Sequence, residues 1–125
     1  MRRGLAAIAP RVANPAPFPG TPDIGSDLGL ADGVVAAVDA ATDRQQWSTK
    51  VSGDPLGGAI VVNDLVFTAL LGGELVALDR ATGKIVRTVD LPGGVNGWMV
   101  AVGDELIVPV GNSNPPRLVA LRVPS

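Results

Sequence analysis

The sequence contains no cysteine and no histidine among its 125 residues. These absences exclude disulfides, zinc sites built on cysteine or histidine, cysteine nucleophiles and every catalytic triad that needs histidine. Charge is also scarce: the net charge is −2 and no basic cluster occurs, so we predict no nucleic-acid partner. No run approaches the roughly 18 apolar residues that a membrane-spanning helix requires, so we predict no membrane span.

The N-terminal part differs in composition from the rest of the chain. Residues 4–9 are apolar but shorter than the roughly 7–15 residues of a signal-peptide core, so no convincing signal peptide is present. Each proline fixes φ and removes a backbone donor. The sequence therefore predicts a Pro-rich irregular segment over residues 1–31, whose closely spaced prolines are Pro10, Pro15, Pro17, Pro19 and Pro22.

Residues 32–125 consist of short apolar runs separated by turns rich in glycine, asparagine and aspartate. Runs this short are typical of strands, and their short connections favour antiparallel pairing. The inner runs of each unit do not alternate apolar and polar residues, which indicates a sheet covered on both faces. We therefore predict an all-β domain of four-stranded antiparallel units, with no long helix.

A turn motif repeats with a period of about 40 residues, which is typical of repeat architectures. One copy spans residues 37–47, a second spans 77–87, and a partial third lies at 118–121. In both full copies an aspartate precedes a threonine by three residues. Such side chains accept hydrogen bonds from the backbone of a turn, so Asp39 and Asp79 are predicted to cap turns and not to act in catalysis or metal binding.

The motif resembles the pyrroloquinoline quinone (PQQ) repeat of quinoprotein dehydrogenase-like β-propellers, Ala-x-Asp-x-x-Thr-Gly-x-x-x-Trp. Two positions depart from it: Asp43 stands where Gly is usual, and Arg87 stands where Trp is usual. The residues that match are Ala37, Asp39, Thr42, Trp47, Ala77, Asp79, Thr82 and Gly83. The resemblance implies that Trp47 packs on the next blade near the turn at residues 79–83.

The resemblance also implies an architecture and a function. A closed propeller has roughly 4–8 four-stranded blades, so this chain is expected to form an incomplete propeller of about two blades and part of a third. It resembles the C-terminal part of a PQQ-dependent alcohol or glucose dehydrogenase, is predicted to be inactive alone, and could be a truncated product. The alternative is a non-enzymatic scaffold like the outer-membrane assembly lipoprotein. Expected partners are the missing blades or other copies of the chain, in a periplasmic or extracellular location.

Candidate cofactor contacts lie at the start of an innermost run. The plane of Trp98, which follows Asn96 and Gly97, could stack on a flat quinone. The competing interpretation, which we favour, is a core or blade-interface tryptophan, because large aromatic residues usually serve packing. A full-length relative would hold PQQ and calcium by resemblance; in this chain no metal ligands and no catalytic residues can be assigned.

Overall fold

A computed structural model describes residues 4–10 and 33–124 of the chain. These residues form ten strands, and none of them lies in a helix, let alone one that could span a membrane. The strands are β1 (Gly4–Pro10), β2 (Gly33–Asp39), β3 (Arg44–Val51), β4 (Ala59–Val62), β5 (Leu65–Ala69), β6 (Glu74–Asp79), β7 (Ile85–Asp90), β8 (Val100–Val102), β9 (Glu105–Val110) and β10 (Arg117–Arg122).

The strands assemble into three antiparallel sheets, each built from consecutive strands. The first sheet has the order β1-β2-β3, the middle sheet β4-β5-β6-β7 and the third sheet β10-β9-β8. Short connections explain this order from β2 onward, because they can join only antiparallel neighbours, whereas β1 is separated from β2 by residues 11–32. For example, Asn63 (φ 56°) takes the left-handed conformation in the turn between β4 and β5. The predicted four-stranded antiparallel unit is confirmed in the middle sheet.

The middle sheet is covered on both faces, as its continuous apolar runs predict. Alternate residues of β6 enter different clusters: Val76 and Leu78 pack toward the first sheet, whereas Leu75 and Ala77 pack toward the third. The first interface contains Val35, Ala37, Trp47, Val51, Val66, Leu70, Val76 and Leu78. The second interface contains Val62, Phe67, Ala69, Leu75, Ala77, Val95, Met99, Leu106, Val108, Val110 and Val123.

The two interfaces use equivalent positions of the repeat. Val35 and Ala37 in the first interface correspond, one repeat later, to Leu75 and Ala77 in the second. The sheets therefore follow one another by the same packing step, face against face, as successive blades of an unclosed propeller.

The first sheet corrects one prediction. Residues 4–10 form strand β1, with Gly4 opposite Asp39 and Pro10 opposite Gly33, where the sequence predicts an irregular segment. The backbone of β2 would otherwise present an unpaired sheet edge, and β1 supplies its hydrogen-bonding partner. Because β1 is an edge strand of this sheet, the missing backbone donor of Pro10 is tolerated. The rest of the predicted irregular segment, residues 1–3 and 11–31, lies outside the described residues.

Candidate functional site

The turn after β6 is held by the side chain of Asp79. Its Oδ1 accepts hydrogen bonds from the backbone N–H of Ala81 (2.9 Å), the backbone N–H of Thr82 (2.9 Å) and the Thr82 hydroxyl (3.1 Å). The backbone N–H of Thr82, followed by its hydroxyl, lowers the pKa of Asp79, because these donors favour the ionised carboxylate. Gly83 (φ 75°) then completes the turn in the left-handed conformation.

The turn after β2 repeats this arrangement in the preceding unit. Asp39 Oδ1 accepts from the N–H of Ala41 at 2.9 Å, and Asp43 has a φ of 56° in the position of Gly83. Aspartate tolerates this conformation better than most residues do. The motif carboxylates Asp39 and Asp79 thus act in turns, as the sequence predicts, and are already engaged by their own backbone.

Trp47 joins the first sheet to the middle sheet. Its side chain is only 8% exposed, and its indole Nε1–H donates to the backbone carbonyl of Arg80 at 2.9 Å. The indole also lies so close to Gly83 that a β-carbon at that position would overlap Cδ2 and Cε3 of the ring. The predicted contact between Trp47 and the 79–83 turn is therefore present. Gly83 has two reasons to be glycine: its positive φ and the ring above it.

Arg87 occupies the equivalent position in β7, and its environment differs. Its side chain is exposed, as the sequence predicts for an arginine in place of the motif tryptophan. The blade-docking contact is thus made by the first copy of the motif and lacks an aromatic ring in the second.

A groove of about 370 Å³ opens where the innermost strands of the middle and third sheets begin. One wall is the loop that enters β4, and the other is the segment that enters β8. Its lining is mostly apolar and comprises Pro55, Leu56, Gly57, Gly58, Ala59, Ile60, Trp98 and Met99. The two walls are fixed to each other, because Gly57 approaches the carbonyl oxygen of Gly97 so closely that a side chain would not fit. Thr68, fully buried, donates to the carbonyl of Gly58 at 3.0 Å and anchors the loop from below.

Trp98 stands in this groove and not in the core. It is 81% exposed, so it is not a core tryptophan among the described residues, while the blade-interface role that the sequence also allows stays a prediction. The next residue, Met99, is buried in the second interface and also lines the groove. Asn96 is exposed as well and is not one of the residues that line the groove.

The lining fits a quinone cofactor only in part. A flat ring could stack on the indole of Trp98, but PQQ also carries carboxylates, and none of the lining side chains is a cation that would pair with them. Among the described residues, no group of three acidic, histidine or cysteine side chains is arranged to hold a metal ion. The residues described at this groove therefore do not match the charge of PQQ.

The sequence does not predict the residues of the loop wall. In the sequence this segment is only a glycine-rich loop without a phosphate-binding ending. One signal does exist in the sequence: Gly57 and Gly97, the two residues that approach each other, are separated by one repeat period. No local sequence pattern predicts that the loop entering β4 and the segment entering β8 leave a groove between them.

Comparison with known proteins places this geometry in a family. A family model described as outer membrane protein assembly factor BamB matches residues 31–122. A solved structure of a europium-containing methanol dehydrogenase is similar over 73% of the chain, with a TM-score of 0.61 and 19% identity. The quinohemoprotein alcohol dehydrogenase from Comamonas testosteroni is similar over 76% of the chain, with a TM-score of 0.60 and 20% identity. No curated protein matches.

At this level of identity the two structures show the shared fold, an all-β propeller. The chain covers 19% of the first structure and 18% of the second, so it spans about a fifth of their length. The predicted fold class, an incomplete propeller of PQQ-type repeats, is confirmed.

Proposed function

The chain belongs to the family described as outer membrane protein assembly factor BamB, and from this premise we propose that it supplies blades of a propeller that binds a protein partner and catalyses no reaction. The observation that carries the proposal is the apolar groove beside Trp98. A location outside the cytoplasm, periplasmic or extracellular, follows from the same premise. It can be checked by fractionating cells that express the protein with its native upstream sequence.

The groove has the chemistry of a side-chain pocket in a protein–protein interface. An 81% exposed tryptophan beside a fixed, apolar loop presents a large surface that water solvates poorly. Tryptophan is enriched among the residues that contribute most to protein–protein binding, especially where a partner side chain can fill a pocket beside it. The occupant best suited to the groove is therefore an apolar or aromatic side chain from an extended segment of a partner.

The motif carboxylates support binding over catalysis. Asp39 and Asp79 each accept hydrogen bonds from their own turns, and neither belongs to the groove. A general acid or base must reach the proton that it transfers. The lining side chains contain no carboxylate that could do so.

The second candidate is a quinoprotein segment, in which Trp98 and Asn96 contact PQQ. The exposed plane of Trp98 favours it, because aromatic faces stack on flat rings. Calcium and the remaining ligands would then have to come from other blades. The uncharged lining disfavours this candidate, because the carboxylates of PQQ would have no cationic partner in the groove. The experiment below therefore includes PQQ as a second ligand.

The two candidates differ in the ligand that shifts tryptophan fluorescence. Trp47 is buried and Trp98 is exposed, so a ligand in the groove changes mainly the emission of Trp98. We expect titration with the blocked peptide N-acetyl-Leu-Phe-Leu-amide to shift the emission to shorter wavelength and to saturate. PQQ alone should produce no saturable change beyond its own absorption.

Two variants make the titration decisive. Trp98→Ala should abolish the peptide response, whereas Leu118→Ala, at another exposed apolar residue outside the groove, should leave it intact. A response that survives in Trp98→Ala would contradict binding in the groove. Saturable binding of PQQ that requires Trp98 would instead favour the quinoprotein candidate.

A further inference from the structure

One asparagine of the chain stands in a sequence that favours a reaction with its own backbone. Asn96 is followed by Gly97, whereas the other four asparagines precede aspartate, serine or proline. When glycine follows, no side chain hinders the approach of its backbone nitrogen to the asparagine amide, and the glycine backbone adopts a wide range of conformations. The pair lies directly before Trp98, in the segment that enters β8 and forms one wall of the groove.

The structure leaves the side chain of Asn96 free to react. Asn96 is exposed, and among the described residues none exchanges a hydrogen bond with its side-chain amide or with the backbone N–H of Gly97. Gly111 lies beside this side chain, and even a β-carbon added there would be 3.5 Å from Asn96 Oδ1. The amide group therefore has the space to turn toward the residue that follows it.

The main chain on either side of the pair is anchored. Val95 is fully buried, and its backbone N–H donates to the carbonyl of Leu70 at 3.3 Å. Met99 is buried in the second interface. Between these anchors the carbonyl oxygen of Gly97 lies against Gly57 of the opposite wall, with no room for a side chain. An additional atom in the main chain between Val95 and Met99 would therefore displace this carbonyl from Gly57.

From these observations we propose that Asn96 is a self-modification site whose isoaspartate product separates the two walls of the groove. The Gly97 nitrogen loses its proton to hydroxide and attacks Cγ of Asn96. The bond from this nitrogen to Cγ forms, the bond from Cγ to Nδ2 breaks, and the amide nitrogen leaves as ammonia after gaining a proton. Water then opens the resulting succinimide ring at either of its carbonyl carbons. The net change is hydrolysis of an amide to a carboxylate and ammonia, so no oxidant or reductant is required.

The two products of ring opening affect the groove differently. Opening at Cγ gives aspartate, which adds a negative charge near Trp98 and leaves the main chain unchanged. Opening at the main-chain carbonyl carbon gives isoaspartate, which carries the same charge but routes the main chain through Cγ. One further carbon then stands between residues 96 and 97. The isoaspartate product must therefore move the Gly97 carbonyl away from Gly57, whereas the aspartate product leaves this contact in place.

The modification itself does not depend on the proposed function, because it involves only the chain, hydroxide and water. Its effect on ligands rests on that function: once the walls separate, the response of Trp98 to the blocked peptide should be lost.

Ageing the purified protein in mildly alkaline buffer tests the modification. We expect a species heavier by the difference between a hydroxyl and an amino group, with the change at residue 96 of the tryptic peptide of residues 88–117. Isoaspartyl methyltransferase should add a methyl group to part of this peptide. Asn112, an exposed asparagine followed by serine in the same peptide, should stay unchanged over that time. Mildly acidic buffer should suppress the change, because the attacking nitrogen must lose its proton.

Two variants separate the chemistry from its consequence. Gly97→Ala should be converted far more slowly, because its methyl group hinders the attack. Far-UV circular dichroism checks its fold, since a β-carbon there would lie 3.1 Å from Cγ of Pro109; Asn96→Gln, whose ring closure is slower, replaces it if it does not fold. Freshly purified Asn96→Asp is the matched control for charge. Hydrogen exchange of residues 54–58 should be faster in the isoaspartate form than in this control or in the unaged protein.

Three results would overturn the proposal. The first is conversion at residue 96 that is no faster than at Asn112 or is as fast in the folded variant as in the intact protein. The second is a modified peptide that accepts no methyl group. The third is an isoaspartate form in which hydrogen exchange of residues 54–58 is unchanged. A missing peptide response in the unaged protein would instead contradict the proposed function, while mass and hydrogen exchange still decide the modification.

Discussion

Replacing Gly83 by alanine tests how the first and middle sheets are joined. A β-carbon at Gly83 would raise the free energy of the folded state in two ways: the backbone φ is 75°, and the added atom would overlap the indole of Trp47. A left-handed conformation costs a residue with a β-carbon about 1–2 kcal/mol. Forcing extra atoms into a packed contact costs about 1–3 kcal/mol more. We therefore expect Gly83→Ala to lower the free energy of unfolding by about 2–5 kcal/mol, from the two ranges together.

Gly103 provides the matched control for the backbone. Its φ is 60°, and a β-carbon there meets nothing within 4 Å. Gly103→Ala should therefore carry only the conformational cost, about 1–2 kcal/mol. The difference between the two alanine variants isolates the contact with the tryptophan ring.

A double-mutant cycle with Trp47→Ala gives the same contact independently. Without the ring, Gly83→Ala should cost no more than Gly103→Ala, so the coupling between residues 47 and 83 should be about 1–3 kcal/mol, within the range typical of residues in contact. Urea unfolding followed by far-UV circular dichroism measures these values at one fixed protein concentration, because association would stabilise the folded state. Equal losses for Gly83→Ala and Gly103→Ala, or additivity in the cycle, would refute the packing argument.

Three further predictions concern the motif and the activity. Trp47→Ala should lower the free energy of unfolding by about 3–5 kcal/mol, while Arg87→Ala, at an exposed residue, should change it by no more than about 0.5 kcal/mol; equal urea midpoints would contradict the docking role. The hydrogen bonds from Thr82 lower the pKa of Asp79 below 3.8 in the folded state, so its contribution is fully present above pH 3.8 and is lost as the pH falls through the folded-state pKa. The difference in melting temperature between the protein and Asp79→Asn should therefore be larger at pH 7 than at pH 2.5, and a pH-independent difference would speak against a charged cap. Finally, the isolated chain should reduce no dye with an alcohol or a sugar in the presence of PQQ and calcium, and substrate-dependent turnover would overturn the proposal of a non-enzymatic propeller.

The outer strand and the turns of each unit could be predicted because their chemistry is local. Asp79 and Thr82 hydrogen-bond within three residues of each other, so their spacing alone fixes the turn. The repeat spacing then predicts that the same turn occurs in the neighbouring unit. The contact of Trp47 with the turn of the next unit was implied by the resemblance to the PQQ repeat, and the structure adds the acceptor of its indole N–H, the Arg80 carbonyl.

The tertiary structure alone decided which surfaces are covered. Trp98 and Met99 are neighbours in sequence, yet Met99 is buried in the second interface and Trp98 is 81% exposed, because the packing of the two sheets covers only Met99. The pairing of Gly4–Pro10 with β2 depends on a sheet edge that is distant in sequence. Local sequence determines how each strand turns and what its two faces are made of. Whether a face is buried depends on the sheet that packs against it. Contacts between residues distant in sequence determine that packing, and a local motif does not include those residues.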